Sequence, residues 1–456
     1  MNQIIEDIVA KFKDSMYSMM ESSSTVTLNE METRFLTEYE ALVCSFIGEY
    51  LRQRDRALLA DKKARREKKL VVQRREDPRQ IYTVFGEVRY DRTYYRKAVG
   101  YEYPIDTQAG IESYSRMSPM TSYSLVDAAC DMSYAKSSEY VTDGVFSKQT
   151  VMRKIRESYA PESPELSQKK KVRYLHIDAD EDHVSILGKG SVIVPVISVY
   201  EGVERHGKRS NCRNVFHISE YGKNSEELWN QVRDEIDKRY DLRGTTIYLH
   251  ADGAGWISEG LNWLPNVKFV LDTYHKNKAI KQTLSGFTAE DRSKWKSALE
   301  YAFATGSKEF MAEAWASMLS SYPERKETID NGMGYLTGFF DAIHIREEDA
   351  EARNGGATEP HVQHVLSYRL SSTPHVWSEQ TIRRLAPILA SRSHTFTKPK
   401  ETELIQILRP DKVEAKPRKR VPRGIGLPDP DIMASFPSEF YKRTALNKYL
   451  KGISKS

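Results

Sequence analysis

The chain has 456 residues, with 69 Lys+Arg against 64 Asp+Glu and a net charge of only +5, so it has room for two to four domains and its charge distribution says more than its total. Three widely separated cysteines, Cys44, Cys130 and Cys212, argue against a zinc ribbon or a disulfide framework and point to a reducing compartment. The longest apolar stretch, near 192–200, is interrupted by Pro195 and Ser198, and the N-terminus lacks a signal peptide; the expectation is a cytoplasmic protein with no membrane partner.

Residues 3 to 70 read as helix. Leu28, Met31, Phe35, Tyr39, Leu42 and Phe46 recur at steps of three and four, and Thr27 with Glu30 forms a capping box at the start of that stripe. The stripe suits core packing or self-association and runs into a basic arm. Between Leu51 and Gln80 twelve basic residues stand against five acidic ones, which suits either a polyanionic partner or a solvated helix face. Residues 1–75 are therefore one helical region with its arm. From Ile81 the pattern becomes a β-hairpin, 81–85 and 88–95, around a turn at Gly86-Glu87. Arg89 and Arg92 alternate with Tyr90 and Tyr94, so one basic face would lie on a DNA backbone, although an ordinary half-buried hairpin has the same pattern. Segments 124–131, 133–140 and 147–156 have helix-turn-helix length and order. Ser147 is the N-cap of the third, and Lys148, Gln149 and Arg153 lie on its exposed face. Residues 76–160 form the candidate DNA-binding region.

After a polar linker at 161–171 the chain turns α/β. Apolar runs cover 172–180, 183–187, 191–200 and 214–218, followed by a helix at 224–240, a strand at 245–251, a short helix at 256–263 and a strand at 267–271. This order matches a ribonuclease H-like core spanning 171–275 and 351–395, closed by helices at 358–371 and 378–392. Residues 276–350 are a helical insertion and 396–456 a basic tail that includes Lys416–Arg423. The expected fold class is multidomain α+β: a helical N-terminal region with a helix-turn-helix, then the ribonuclease H-like α/β catalytic core.

Three acids stand out within that frame. Asp180 and Asp252 each read as the end of an apolar strand, and Glu359 opens a helix at Pro360. Two carboxylates at adjacent strand ends and one on a helix would hold two divalent cations around a phosphodiester, and all-oxygen ligands suit Mg²⁺ or Mn²⁺. A strand-end Asp is also a common turn residue or N-cap. Asp178 shares a face with Asp180 but lies deeper in the run, while Asp272 and His275 share a helical face; all three are candidate accessory residues. His361, His364 and Arg369 follow Glu359 at helical spacing, where they would meet phosphate.

The segments Leu175–His183, Leu249–Trp256, Leu271–Lys278, His361–Ser367 and Phe85–Val88 closely resemble the ISLre-type bacterial insertion-sequence transposases, over about residues 75 to 395. The resemblance implies a DDE transposase, similar in its Asp-x-x-His feature to mutator-like transposases, with Asp180, Asp252 and Glu359 as the metal triad. It further implies double-stranded DNA partners (element ends and target), a homodimer or higher homo-oligomer on DNA, and association with the bacterial nucleoid. Two readings compete: a domesticated DNA-binding protein without catalysis, and a ribonuclease H-like nuclease that hydrolyses without joining. A DxD glycosyltransferase, from Asp178-Ala-Asp180, is disfavoured by the basic arms.

Overall fold

A computed structural model describes residues 2–21, 26–161, 166–207 and 209–392. The basic cluster at 416–423 and linker residues 162–165 lie outside the described residues. The chain forms two compact units, Met1–Ser158 and Tyr159–Ser456, with mixed α and β content.

In the first unit, helices Asn2–Met20 and Leu28–Ala60 pair, and the second starts at the expected capping box of Thr27 and Glu30. Much of the apolar stripe is left outward: Leu28, Phe35 and Tyr39 are exposed. Burial begins further along, where Leu51 packs with Ile81, Val88, Tyr90 and Ile105. Gly48 is required there, because a Cβ would meet the Arg89 carbonyl oxygen at 2.7 Å.

The hairpin differs from expectation in two ways. Its first strand, Val71–Thr83, starts ten residues before Ile81 and contains Pro78, so the basic helical arm ends earlier, at Glu67. The turn is Val84-Phe85, since Thr83 pairs with Gly86 and the second strand runs Gly86–Arg96. Register shifts between Val72 and Asp77 accommodate the irregular start. Helices Pro119–Asp131, Tyr134–Thr142 and Lys148–Glu157 follow near the expected bounds and pack on one another. Ser118, Ser133 and Ser147 cap them.

The second unit is built on a five-stranded sheet. In chain order its strands are Tyr174–Ile186, Gly190–Tyr200, Phe216–Ile218, Thr246–Ala251 and Val267–Leu271; in space they run fifth, fourth, first, second, third. The first three pair antiparallel, while the fourth lies parallel to both the first and the fifth. Alternation divides the sheet into two faces. Leu175, Ile177, Ala179, Leu249 and Ala251 join a core with Trp229 and Val232 of helix Ser225–Arg239. The same core takes in Leu299, Phe303, Met318, Met333 and Phe339, so the helical segment between the fifth strand and Glu359 packs as part of the unit's interior.

The runs expected at 172–180 and 183–187 are a single strand, so Asp180-Glu-Asp-His183 is neither a turn nor a loop. The second strand pairs with it throughout, Asp180 opposite Val196 and His183 opposite Ile193. Pairing with the fourth strand, in contrast, stops at His250 opposite Asp178. From Asp180 to Val184 the first strand has a strand neighbour on one side only among the described residues, before Trp377 bridges to it at Ile186.

Candidate active-site cleft

Asp180 and Asp252 each lie two residues beyond that last couple, His250 and Asp178, on adjacent parallel strands. Asp252 is half-buried where the fourth strand ends. Its Oδ1 accepts from the Ala254 N–H at 2.9 Å, and its carbonyl accepts from the Tyr335 hydroxyl at 3.2 Å. Gly253 permits the turn, with φ +87° and the Phe339 ring where a Cβ would sit. Gly255 instead opens the short helix Gly255–Ser258.

Glu359 reaches the same region from the helix Thr358–Val362, which passes into a turn of π-helix at Gln363–Ser367. Glu359 and Asp180 line one cleft of about 700 Å³, together with Asp182, His183, Gln363 and His364. Asp252 is absent from that lining. The structure thus brings two members of the expected triad to one cleft and puts the third at the end of the adjoining strand. Among the described residues no three His, Cys, Asp or Glu side chains are grouped so as to hold a metal ion.

Beneath the cleft is a polar layer. Asp178 is fully buried: Oδ1 accepts from the Tyr200 hydroxyl at 2.9 Å and the Gly356 N–H at 3.1 Å, and Oδ2 from the Ala357 N–H at 2.9 Å. Burial pushes its carboxyl up to about 6, against the downward pull of those donors. His361 Nε2 lies 3.5 Å from Asp178 Oδ2 and 3.7 Å from the Cys212 sulfur. Burial lowers the His361 imidazole to about 4, leaving it neutral. The Cys212 thiol is pushed up to about 12 by burial and by Asp178, so it carries no thiolate at neutral pH. His176 stacks on His250, with a ring-nitrogen contact of 3.1 Å, and burial holds both below the ordinary histidine value.

Asp272 is buried as well. Its Oδ1 caps helix Thr273–Thr283 through the Tyr274 N–H at 2.5 Å, and its Oδ2 accepts from the Thr358 hydroxyl at 2.7 Å. His275 is half-buried and its Nδ1 has no hydrogen-bond partner among the described residues. Arg369 is buried under the Trp377 ring and His361 Nε2 faces Asp178, so neither lines the cleft; His364 alone of those three is exposed on it.

The arginine pair of the first unit divides in the same way. Arg89 is exposed. Arg92 is buried, paired with Asp106 and stacked 3.5 Å from the Tyr103 ring centroid, which removes it from any outward basic face. Alternation along the strand puts Arg92 on the buried face with Val88 and Tyr90, and Asp106 on the short helix Pro104–Gln108 meets it there. Lys148, Gln149 and Arg153 are exposed on their helix.

The cleft presents the carboxylates of Asp180, Glu181, Asp182 and Glu359 beside the imidazoles of His183 and His364, with Asp252 at the adjoining strand end, so carboxylate oxygens dominate the donor set. That set fits Mg²⁺ or Mn²⁺, and Mg²⁺ is commonly held by one or two carboxylates plus waters. Asp182, buried on the same face, uses Oδ1 to accept from Ser371 at 2.8 Å, while its Oδ2 has no hydrogen-bond partner among the described residues. Asp182 and Thr358 were not singled out from sequence. For Asp182 the available signal was the two-residue spacing from Asp180; for Thr358 it was the Gly355-Gly356 pair just before it.

Residues 22–404 match UPF0236, an uncharacterised protein family. A UPF0236 protein of Caldanaerobacter subterraneus subsp. tengcongensis, whose name joins eleven locus labels, is 32% identical over 397 residues, covering 84% of this chain and 83% of its own. A second from the same organism, with four labels, is 32% identical over 389 residues, covering 84% and 80%. A UPF0236 protein of Streptococcus gallolyticus, named for the vanSb 3′ region, is 28% identical over 274 residues, covering 56% and 58%.

Proposed function

The chain belongs to the uncharacterised family UPF0236, and we propose that it is a DDE transposase that cleaves the ends of its own insertion sequence and joins them to target DNA. The observation that carries this reading is the meeting of Asp180 and Glu359 in one cleft, at the point where the fourth strand leaves the first and ends in Asp252. Strand order and direction agree with a ribonuclease H-like core: three antiparallel strands, then two parallel strands added beside the first. Relatives whose names join eleven and four locus labels from one organism fit a sequence carried in many copies, the distribution that transposition produces.

Asp180, Asp252 and Glu359 would hold two divalent cations. When bound, the cations would activate the attacking water or 3′-hydroxyl and stabilise the leaving oxygen. Asp252 is oriented for this by the Ala254 N–H, and His364 lines the same cleft, where it would meet a phosphate oxygen. The helices of 119–157, read as a helix-turn-helix with Lys148, Gln149 and Arg153 outward, would grip double-stranded DNA with Arg89. The exposed stripe of Leu28, Phe35 and Tyr39 would serve self-association, which joining two element ends requires.

A non-catalytic DNA-binding protein is the second reading, and one observation favours it: no three ligating side chains are grouped to hold a metal among the described residues. Incubation with Mn²⁺ and DNA carrying the gene's genomic flanks separates the two. Nicks at the element ends, lost in Glu359→Gln, support the transposase; retained DNA binding with no nicking supports the rival. Nicks without joined products would indicate a nuclease.

A further inference from the structure

We propose that Asp178 and Asp272 are positioning residues that set the place of Glu359, acting on the three residues that lead into it rather than on cation or DNA; the inference rests on the metal-centre reading above. Glu359 sits in the first turn of the helix Thr358–Val362, which runs on through the π-turn Gln363–Ser367 and has no side-chain cap at its N-terminus. A helix start leaves N–H groups without partners, and nothing within the helix itself fixes the chain that leads into it. The sheet supplies what the helix lacks. The Gly356 and Ala357 N–H groups both donate to Asp178 of the first strand, and the Thr358 hydroxyl donates to Asp272 at the end of the fifth. The three residues immediately before Glu359 are each tied to a buried carboxylate.

Two further contacts fix the approach. Gly355 lies against the His250 ring of the fourth strand, so close that a Cβ would stand 2.1 Å from Nε2. The Tyr200 hydroxyl of the second strand donates to Asp178 and orients that carboxylate. Four of the five strands therefore converge on residues 355–358. Asp178 and Asp180 share one face of one strand, two residues apart. A single rigid element thus presents the ligand Asp180 and holds the segment that delivers Glu359, which sets the separation of the two sides of the cleft.

A carboxylate suits the task where an amide does not. Three donors converge on Asp178, and an asparagine has one acceptor oxygen, so its NH₂ would face an N–H or the tyrosine hydroxyl. Burying a charge is costly without such partners, and here two of the three are backbone groups of the segment to be positioned.

The test is a Mn²⁺ titration of the full chain, read as free Mn²⁺ by electron paramagnetic resonance, with thermal melts as the folding control. Wild type is compared with Glu359→Gln, Asp178→Asn, Thr358→Val and Thr358→Ser. Asp178→Asn and Thr358→Val are expected to weaken Mn²⁺ binding on the order of 10–100-fold, the usual loss when a group supporting a ligand is removed. Thr358→Ser keeps the hydroxyl and is expected to bind as wild type. Amide exchange at Gly356 and Ala357 is expected to quicken in Asp178→Asn. Wild-type Mn²⁺ affinity in folded Asp178→Asn, or in Thr358→Val should the first not fold, overturns the clamp if Glu359→Gln is impaired, and leaves the metal centre standing. A wild-type chain that binds no Mn²⁺ overturns the metal centre and the clamp together.

Discussion

The two faces of the five-stranded sheet are made by the same strands and do opposite work. On one face Leu175, Ile177, Ala179, Leu249 and Ala251 are packed under helices in an apolar core. On the other, His176, Asp178, Asp180, Asp182 and His250 are buried too, although every one is polar. Apolar burial is non-directional and tolerates changes of partner, whereas buried polar groups need specific donors and acceptors in place. The first face holds the unit together; the second specifies where its pieces stand. A substitution on the first should show in stability, and one on the second in metal binding and chemistry.

The sharpest way to break that division is at the cleft. Asp180→Asn or Glu359→Gln is expected to lower DNA cleavage by about 10²–10³-fold or more, the loss typical of removing one group that stabilises developing charge. The melting temperature should move little, which a thermal scan beside the nicking assay checks. On the apolar face Trp229→Ala should do the reverse. Trp229 is fully buried against the sheet, and its truncation is expected to cost about 3–5 kcal/mol in urea unfolding.

Arg92→Ala carries the comparison into the first unit. It leaves Asp106 buried without its ion-pair partner, with an expected stability loss of about 3–5 kcal/mol. Arg89→Ala, on an exposed side chain, should change stability by less than about 0.5 kcal/mol. Its effect belongs in DNA binding, where losing one phosphate contact lowers the salt-dependence slope by about 0.9.

The polar face should also respond to pH. Burial holds His176 and His250 below the ordinary 6.5, and His361 at about 4, so below pH 6.5 the unfolded chain takes up protons that the folded chain does not. Stability should fall as pH drops from 7 to 5. Asp178 works in the other direction: its carboxyl, raised from 3.8 to about 6, binds a proton first in the folded chain and offsets part of the loss. The melting temperature is expected to be lower at pH 5 than at pH 7, and the difference smaller in His250→Asn.

The apolar face was the more legible in sequence, because alternation and helix periodicity depend on residue type alone. The strand ending at Ala251, the helix beginning at Ser225 and the three helices of 119–157 stand close to where their patterns put them. The polar face misled. Four acids and a histidine at 178–183 read as a strand end and a turn, since nothing local announces that a second strand will pair with them. Arg92 resembles Arg89 in residue type only: strict alternation sets it on the buried face with Val88 and Tyr90, where Asp106, which lies outside the hairpin, supplies its partner. Asp178 and Asp272 were visible as candidates, but their partners, the Gly356 and Ala357 amides and the Thr358 hydroxyl, are more than eighty residues away in sequence.

The most direct test of the account is a joining assay with Asp252→Asn. Purified protein, Mg²⁺ or Mn²⁺ and a DNA fragment carrying the gene with its flanks are incubated with a target plasmid, and the ends of all products are mapped. The account predicts cuts at the element's two ends and covalent joining to target by the wild type. Asp252→Asn should yield neither, while still binding the flanks. Normal cutting and joining by Asp252→Asn would contradict it.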